Sequence, residues 1–342
     1  MTQNKGVMVK VKILAGLCLL ACLAGWAASQ DEGELVAKKR LFPGVGPGLR
    51  AVKRGSDGNY YILSAPGSTA AVFDAAGKLL RRVPEYQESK GPGPQAAELA
   101  TITFGEDLDV DAHGTVYVAD RGANAIKIWD AKGNERVIRI NGPMSVAALP
   151  DGEIAVATVH QQHLVLVFDK NGRDVREFGD PEPISERPEV NRFLNIGMLV
   201  TDGAGHLYYA FPYLPEATVR QYDRNGYGGQ DIQYTGVDAW PAAQATRKEI
   251  ERQEKRGDAP VFKRVLTAVG VERATGEVWM ALGNNLLHFD KEGSRRATYK
   301  IYTPEEARLE ATTILVEQDR LVIGSDPLGI YEFERPDKKS QQ

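Results

Sequence analysis

The sequence predicts an all-β fold, a six-bladed β-propeller of four-stranded antiparallel blades closed by an N-terminal strand and carrying one helical insertion. Three observations predict it. Short apolar runs such as Val116-Tyr117-Val118 and Ile126-Lys127-Ile128 alternate with the period of two that strands show. An aromatic–acidic pair followed by a glycine recurs along the chain: Phe73-Asp74 with Gly77, Trp129-Asp130 with Gly133, Phe168-Asp169 with Gly172, Tyr222-Asp223 with Gly226, and Phe289-Asp290 with Gly293. Phe333-Glu334 is a degenerate sixth copy that ends in Asp337. A second set of turns, at Gly58, Gly114, Gly152, Gly205, Gly276 and Asp319, runs ahead of the first in step. Each unit then holds four strands, here called a to d. One such sheet cannot bury both faces, but six stacked radially can.

The best-formed copy is LDVDAHGTVYVADRGANAIKIWDAKGN, residues 108–134. Asp and Asn can accept backbone hydrogen bonds at the start of its turns, and glycine suits their ends. This copy resembles an NHL repeat: an apolar strand, a D-x-x-G turn, a YVAD strand, a Gly/Asn loop and an aromatic–Asp ending. The resemblance covers roughly residues 48 to 336. It is looser in blades one, three and five, and rests on register in blades four and six. It implies the propeller and does not fix an activity, because such folds include scaffolds, receptors and enzymes.

The sixth unit supplies strands at Thr312–Glu317, Arg320–Gly324 and Gly329–Glu334 and lacks a fourth. Gly33–Pro43 has strand character and no unit of its own, so it is expected to be the outer strand of the last blade, tying the ring shut. Ala242–Arg256 reads as a helix, with Arg247–Glu251 and Glu251–Lys255 at four-residue spacing, Pro241 before it and Gly257-Asp258 after it. Ile250 is almost its only apolar residue, so a solvated cap is expected. Residues 337–342 are expected to be a disordered tail.

At the other end, Lys5, Lys10 and Lys12 precede an uncharged run from Ile13 to Ala27 with small residues at its close. This is the pattern of a secretory signal peptide over residues 1–29, with the propeller at 30–336. The expected location is periplasmic or extracellular. Both cysteines, Cys18 and Cys22, fall inside that segment, and membrane attachment is expected only if Cys22 is lipidated. Export would remove three lysines and no acid, taking the net charge from −4 to −7. With 42% hydrophobic residues the chain can build a large core, and a monomer is expected. No basic run suggests nucleic acid.

No phosphate-cradling glycine loop, nucleophile elbow or metalloprotease motif is present. His113 and His206 fall in a–b turns and His288 in a c strand. His160 and His163 could reach the other face, but alternation would point them apart in an extended strand. Some NHL-like lyases bind zinc through histidines of several inner strands, and the inner strands here carry none. The resemblance to gluconolactonase-type lactonases would imply a Glu, Asn and Asp set around a divalent cation. The Glu-Gly-Pro opening of that set is replaced here by Gly48-Leu49-Arg50. No cofactor is therefore predicted, and a divalent cation at the central channel belongs only to the alternative reading of a lactonase-like hydrolase or lyase.

The connections are unequal. The a–b and c–d turns, which share one face, are short and uniform. The b–c loops and d-to-a connections, which share the other, are long and varied, as functional loops on a rigid scaffold are. Arg50, Asp107, Ser145, Asn195, Thr267 and Thr312, at the starts of the a strands, are expected at the mouth of this loop face. Arg121, Tyr213, Asn284 and Asp326 join them from loops, while Asp120 and Asn124 are expected to hold their own loop. Such a polar ring suits a protein or saccharide ligand. The expected function is an exported, non-catalytic binding or scaffold module.

Overall fold

The computed structural model describes residues 31–65, 67–85, 101–159, 162–256 and 261–341. Residues 1–30, with Cys18 and Cys22 and the segment expected as a signal peptide, lie outside the described residues, as do His160 and Gly257-Asp258. Twenty-five strands form six sheets arranged as a propeller ring. In chain order, blade one is β3–β6 (Leu49–Arg54, Tyr60–Ser64, Ala70–Phe73, Leu79–Val83) and blade two is β7–β10 (Gly105–Val110, Val116–Asp120, Ala125–Trp129, Glu135–Arg139). Blade three is β11–β14 (Pro143–Ala148, Ile154–Thr158, Val165–Phe168, Asp174–Phe178). Blade four is β15–β18 (Met198–Thr201, Leu207–Phe211, Ala217–Tyr222, Gly228–Tyr234). Blade five is β19–β22 (Ala268–Val271, Val278–Leu282, Asn285–Phe289, Arg295–Tyr302), and blade six holds β23–β25 (Thr313–Val316, Arg320–Ser325, Gly329–Glu334).

The recurring Asp-x-x-Gly signature has one local cause. In blade two, Asp130 accepts the amide N–H of Lys132 at 2.9 Å and of Asn134 at 2.8 Å. Gly133 closes the turn at φ +84°, where a β-carbon would be strained. Asp74, Asp169 and Asp223 accept the amides two and four residues on in the same way. Asp111 and Asp202 repeat the arrangement in a–b turns. The repeat that marks the sequence is thus a turn-building device. Between the sheets, apolar residues of neighbouring blades interleave, as Tyr117, Ile126 and Ile128 of blade two do with Val146, Val156 and Leu166 of blade three.

Ring closure differs from the expectation in one respect. β2 (Lys39–Leu41) pairs antiparallel with β25 and supplies the missing outer strand of blade six, as expected. β1 (Asp31–Val36) does not extend it. It pairs in parallel with β22 as a fifth strand of blade five, from Asp31 opposite Ala297 to Val36 opposite Tyr302. The N-terminal segment therefore crosses two blades. A strand pattern alone does not say which edge it will meet, and both outer edges were open.

Phe42, directly after β2, packs with Val322 and Ile330 of blade six and with Val52, Tyr60 and Phe73 of blade one. Its ring centroid lies 5.1 Å from both Tyr60 and Phe73. Beside it, Glu317 of blade six takes hydrogen bonds from Arg54 and Tyr60 of blade one, each at 2.8 Å, and pairs with Arg320 at 2.5 Å. Burial, reinforced by Glu317, pushes the Tyr60 hydroxyl up to about 12, so it remains a donor.

Among the described residues two α-helices interrupt the sheets, where the sequence predicts one. α1 (Pro188–Leu194) buries Val190 and Leu194, one turn apart, below blades three and four. Its seven residues are too few to show a period. α2 (Trp240–Arg256) is the expected insertion but is not a fully solvated cap. Ala243, Thr246, Ile250 and Gln253 are buried on one stripe whose steps of three and four are helical; half of it is polar, which hid it from an apolar count. The tail is ordered further than expected. Residues Pro336–Gln341 form a 3-10 turn, and Asp337 pairs with Arg335 at 2.5 Å. Among the described residues, no helix is long and apolar enough to cross a membrane.

Phe42 holds together the two blades at the closure, so Phe42→Ala should cost about 3–5 kcal/mol in urea unfolding. Leu79→Ala, at a half-exposed position on the outer strand of blade one, should stay within about 0.5 kcal/mol. Equal effects for the two would show that the closure carries no special share of the stability.

Candidate functional site: the central channel and its loop-face mouth

Each innermost strand bonds to its blade on one side only, and its other edge faces the ring axis. Those edge amides need acceptors. In β7 the residues Asp107 and Asp109 stand two apart and so project to the same side. The Asp107 carboxylate accepts the Ser145 hydroxyl and the amides of Leu108 (2.8 Å) and Val146 (3.3 Å). The Asp109 carboxylate accepts the amide of Ala148 at 2.8 Å and lies 3.6 Å from the Lys53 ammonium of β3. Ser145 in turn accepts the Leu199 amide of β15 at 2.9 Å. A chain of side chains thus braces the inner strands of blades one to four. Burial raises the Asp107 carboxyl above its usual range, although Lys53 and Ser145 pull the other way. Burial would lower the Lys53 ammonium, but Asp109 and Asp107 outweigh it and raise the group.

These strands surround a channel of about 1470 Å3 along the axis. Its two walls are unlike. Blades one to three contribute Arg50, Lys53, Glu106, Asp107, Asp109 and Ser145. Blades four to six contribute Ile196, Met198, Val200, Val269 and Leu315 along their mid-section, with Asp202, Glu272, Arg273 and Asp319 at the turn end. At the loop-face mouth, Glu106 lies 2.6 Å from the Arg121 guanidinium and 3.7 Å from that of Arg50. Both guanidinium groups sit over the Phe104 ring, at 5.1 Å for Arg121 and 5.4 Å for Arg50. Arg50 is under-satisfied, because its Nε is buried with no hydrogen-bond partner.

Of the residues expected at the mouth, Arg50, Asp107, Ser145, Thr312 and Asp326 line the channel. Arg121 joins them through Glu106. The other four do not. Asn195 is buried at the end of α1, where its side chain bonds the backbone of Glu182 and Asn191. Tyr213 packs tilted against Phe193, with ring centroids 4.7 Å apart, and belongs to the packing around α1. Thr267 donates to the Ala281 carbonyl and accepts the Gly283 amide. Asn284 sits in the turn between β20 and β21, where its carbonyl accepts the Ile301 amide. Thr312 itself bonds the Gly324 carbonyl at 3.3 Å. Residues before a strand were counted as mouth residues because of their position, but the chain at those points is still turning beneath the loops. As expected, Asp120 holds its own loop: it is fully buried and accepts the amides of Thr103 and Phe104, each at 2.8 Å, beside Lys127 at 3.0 Å. Asn124 accepts the Gly142 amide at 3.0 Å.

The sequence reading missed Glu106, Lys53, Asp109 and Arg264. Period two from Asp107 was the available signal for Asp109, while Glu106 and Lys53 stand one and three residues from Asp107 and Arg50, beside register shifts at Gly105/Asp107 and Leu49/Ala51 that alternation does not reveal. Arg264 lies in the long connection before β19, where no pattern marks it.

A lactonase-like cation would need free oxygen ligands at this mouth. Asp326 instead accepts the Gly48 amide at 2.8 Å, fixing the entry to blade one, and Asn195 faces α1. Gly48 is required there, since a β-carbon would fall 1.5 Å from the Ala65 carbonyl oxygen. Among the described residues, one group has ligand-type atoms close together: Glu277, His288 and Asp337, between blades five and six at the opposite end. Arg335, fully buried, occupies its centre, 2.9 Å from Glu272, 3.3 Å from Glu277 and 2.5 Å from Asp337. It also donates to the Glu317 carbonyl at 3.1 Å. The guanidinium supplies the positive charge that a metal would, so the cluster is a clasp holding the tail to two blades. Above it, His288 stacks on Trp279 with centroids 4.1 Å apart. Burial chiefly holds His288 down to about 4, so it is neutral near pH 7.

No protein-family profile matches the chain, and no curated protein sequence matches it. Solved structures do. A streptogramin B lyase is 14% identical, with 87% of this chain and 86% of that one aligned at a TM-score of 0.53. A gluconolactonase from Xanthomonas campestris is 14% identical, with 85% and 87% aligned at 0.54. Hydrazine synthase of Kuenenia stuttgartiensis is 12% identical, with 85% and 96% aligned at 0.52. The likeness is one of fold. At these identities it establishes the six-bladed propeller and carries no activity across.

The clasp gives stability a pH dependence with a definite sign. The His288 pKa is lower in the folded chain than the unfolded value of about 6.5. Its contribution is therefore complete above that pH and is lost as pH falls towards about 4. The loss is at most about 1.4 kcal/mol per pH unit. Replacing His288 by Gln should flatten the fall in melting temperature between pH 6.5 and 4, and equal slopes in the two proteins would refute the assignment. Arg335→Met should cost about 3–5 kcal/mol in urea unfolding near pH 7, because it strands Glu272, Glu277 and Asp337 without a counter-charge.

Proposed function

We propose that the protein is an exported, NHL-like binding module, without catalytic activity, that holds a protein or saccharide through the loop face of its propeller. The observation that carries this reading is the inequality of the two ends of the channel. On one end the chain turns in tight Asp-x-x-Gly reversals. On the other lie α1, α2 and the long loops, around a mouth lined by the partly exposed Arg50. Long connections on a rigid ring are where such proteins place recognition.

The carboxylates weigh against catalysis as the main role. Asp107, Asp109 and Asp326 accept backbone amides, and Glu106 is shared by two guanidinium groups. A general acid or base needs a proton-exchanging oxygen within reach of substrate, and these oxygens are engaged by the scaffold. A lyase or lactonase activity at the channel is the alternative, supported by the names of the structural neighbours.

The test compares the two faces. Arg50→Gln with Arg121→Gln should abolish capture of partners from the source organism's extract while leaving the melting temperature within a few degrees. Lys132→Glu with Lys170→Glu, in c–d turns of the opposite face, should keep every partner. Loss in the second variant and not the first would place recognition on the other face. Bound divalent metal in the purified protein, with lactone hydrolysis, would replace the binding reading by the enzymatic one.

A further inference from the structure

We infer that the channel accepts an amphipathic monocarboxylate, with the carboxylate at Arg50 and an apolar body along the wall of Met198, Val200 and Leu315. The inference deepens the loop-face reading and rests on it. Met198, Val200 and Leu315 are only partly buried by neighbouring blades, so they present apolar surface to the channel. Ile196 continues that wall towards the loop-face mouth. The volume of about 1470 Å3 exceeds that of ordinary small-molecule pockets, and an extended body fits without rearrangement.

The charge pattern selects the head group. Arg50 reaches into the mouth from β3, steadied over Phe104. Its one carboxylate neighbour, Glu106, stands at 3.7 Å, beyond hydrogen-bond distance, and makes its close contact with Arg121 instead. The Arg50 Nε has no partner at all. That Nε is buried, so the terminal Nη groups of the partly exposed side chain are the ones that can meet a ligand, and they can offer a carboxylate two parallel hydrogen bonds. Arg264, exposed on the same rim, adds positive charge. Deeper in, Asp107 and Asp109 outnumber the Lys53 ammonium on the polar wall, so a second negative charge on the ligand's body would meet net like charge. One anion at the entrance and no charge below it is the arrangement that satisfies both walls.

Two sources share this chemistry, an acyl carboxylate and the carboxyl end of a hydrophobic peptide. Titration calorimetry of the full protein should use decanoate, decanol, acetate, the free acid of acetyl-Ala-Leu-Leu and its amide. At least one of the two apolar acids is expected to bind, with its neutral counterpart about tenfold weaker or worse, as loss of a charged hydrogen bond implies. Acetate alone should bind too weakly to detect. Decanoate binding without the peptide assigns an acyl ligand, and the reverse assigns a chain terminus. Arg50→Gln should remove about the same tenfold, with thermal melting confirming that the variant is folded. Equal binding of acid and neutral counterpart in the native protein would overturn the inference without any variant, as would unchanged affinity in folded Arg50→Gln. If neither acid binds while the Arg50/Arg121 variant still loses its captured partners, this inference falls and the loop-face reading stands. If the variant also keeps its partners, both fall.

Discussion

The structure depends on how the free edges of its innermost strands are satisfied. Six strands turn an unpaired edge towards a shared axis, and each buried amide left without an acceptor would cost about 1–3 kcal/mol. Asp107, Asp109 and Ser145 answer that demand for blades two to four by bonding Val146, Ala148 and Leu199 across the gaps between blades. The same bonds fix the spacing of the blades at the axis. They also explain why one wall of the channel is charged: Asp107 and Asp109 are acceptors for backbone amides of the next blade. On the remaining arc the blades meet through Met198, Val200, Val269 and Val271, which leaves the channel two-sided.

Much of this fold could be read in the chain because its repeat is local. Asp130 with Gly133, and its counterparts, build turns from bonds that span four residues, so the signal survives without knowledge of any neighbour. The six blades, and the use of part of Gly33–Pro43 at the closure, followed from counting those turns. What could not be read depends on partners distant in sequence. β1 joins blade five in parallel because the edge of β22 was open, a fact about the assembled ring. The buried stripe of α2 includes Thr246 and Gln253, and nothing in their chemistry announces burial.

The mouth was legible in part for the same reason. Arg50, Asp107 and Ser145 lie in inner strands, where alternation sets direction. Asn195, Tyr213 and Thr267 precede or follow strands, where direction is set by helices and loops resting on them. Asn195 illustrates the difference, since its position before β15 suggests the channel while the geometry of α1 turns it to a cap. The neighbours among solved structures share the ring and differ in what they are named for, which agrees with function residing in these loops and rims.

The crossing of the N-terminal segment over blades five and six has a kinetic meaning. Tyr302 and Glu34, joined across β1 and β22, are 268 positions apart in the chain. Contacts of such separation form only after the intervening blades have brought the ends together, so docking of residues 31–41 is a late event in folding. Interactions absent until late slow the reverse process more than they speed the forward one. Arg335, which ties residues 335–337 back to blade five, is a second contact of this kind, so both bear on the rate of unfolding more than on the rate of folding.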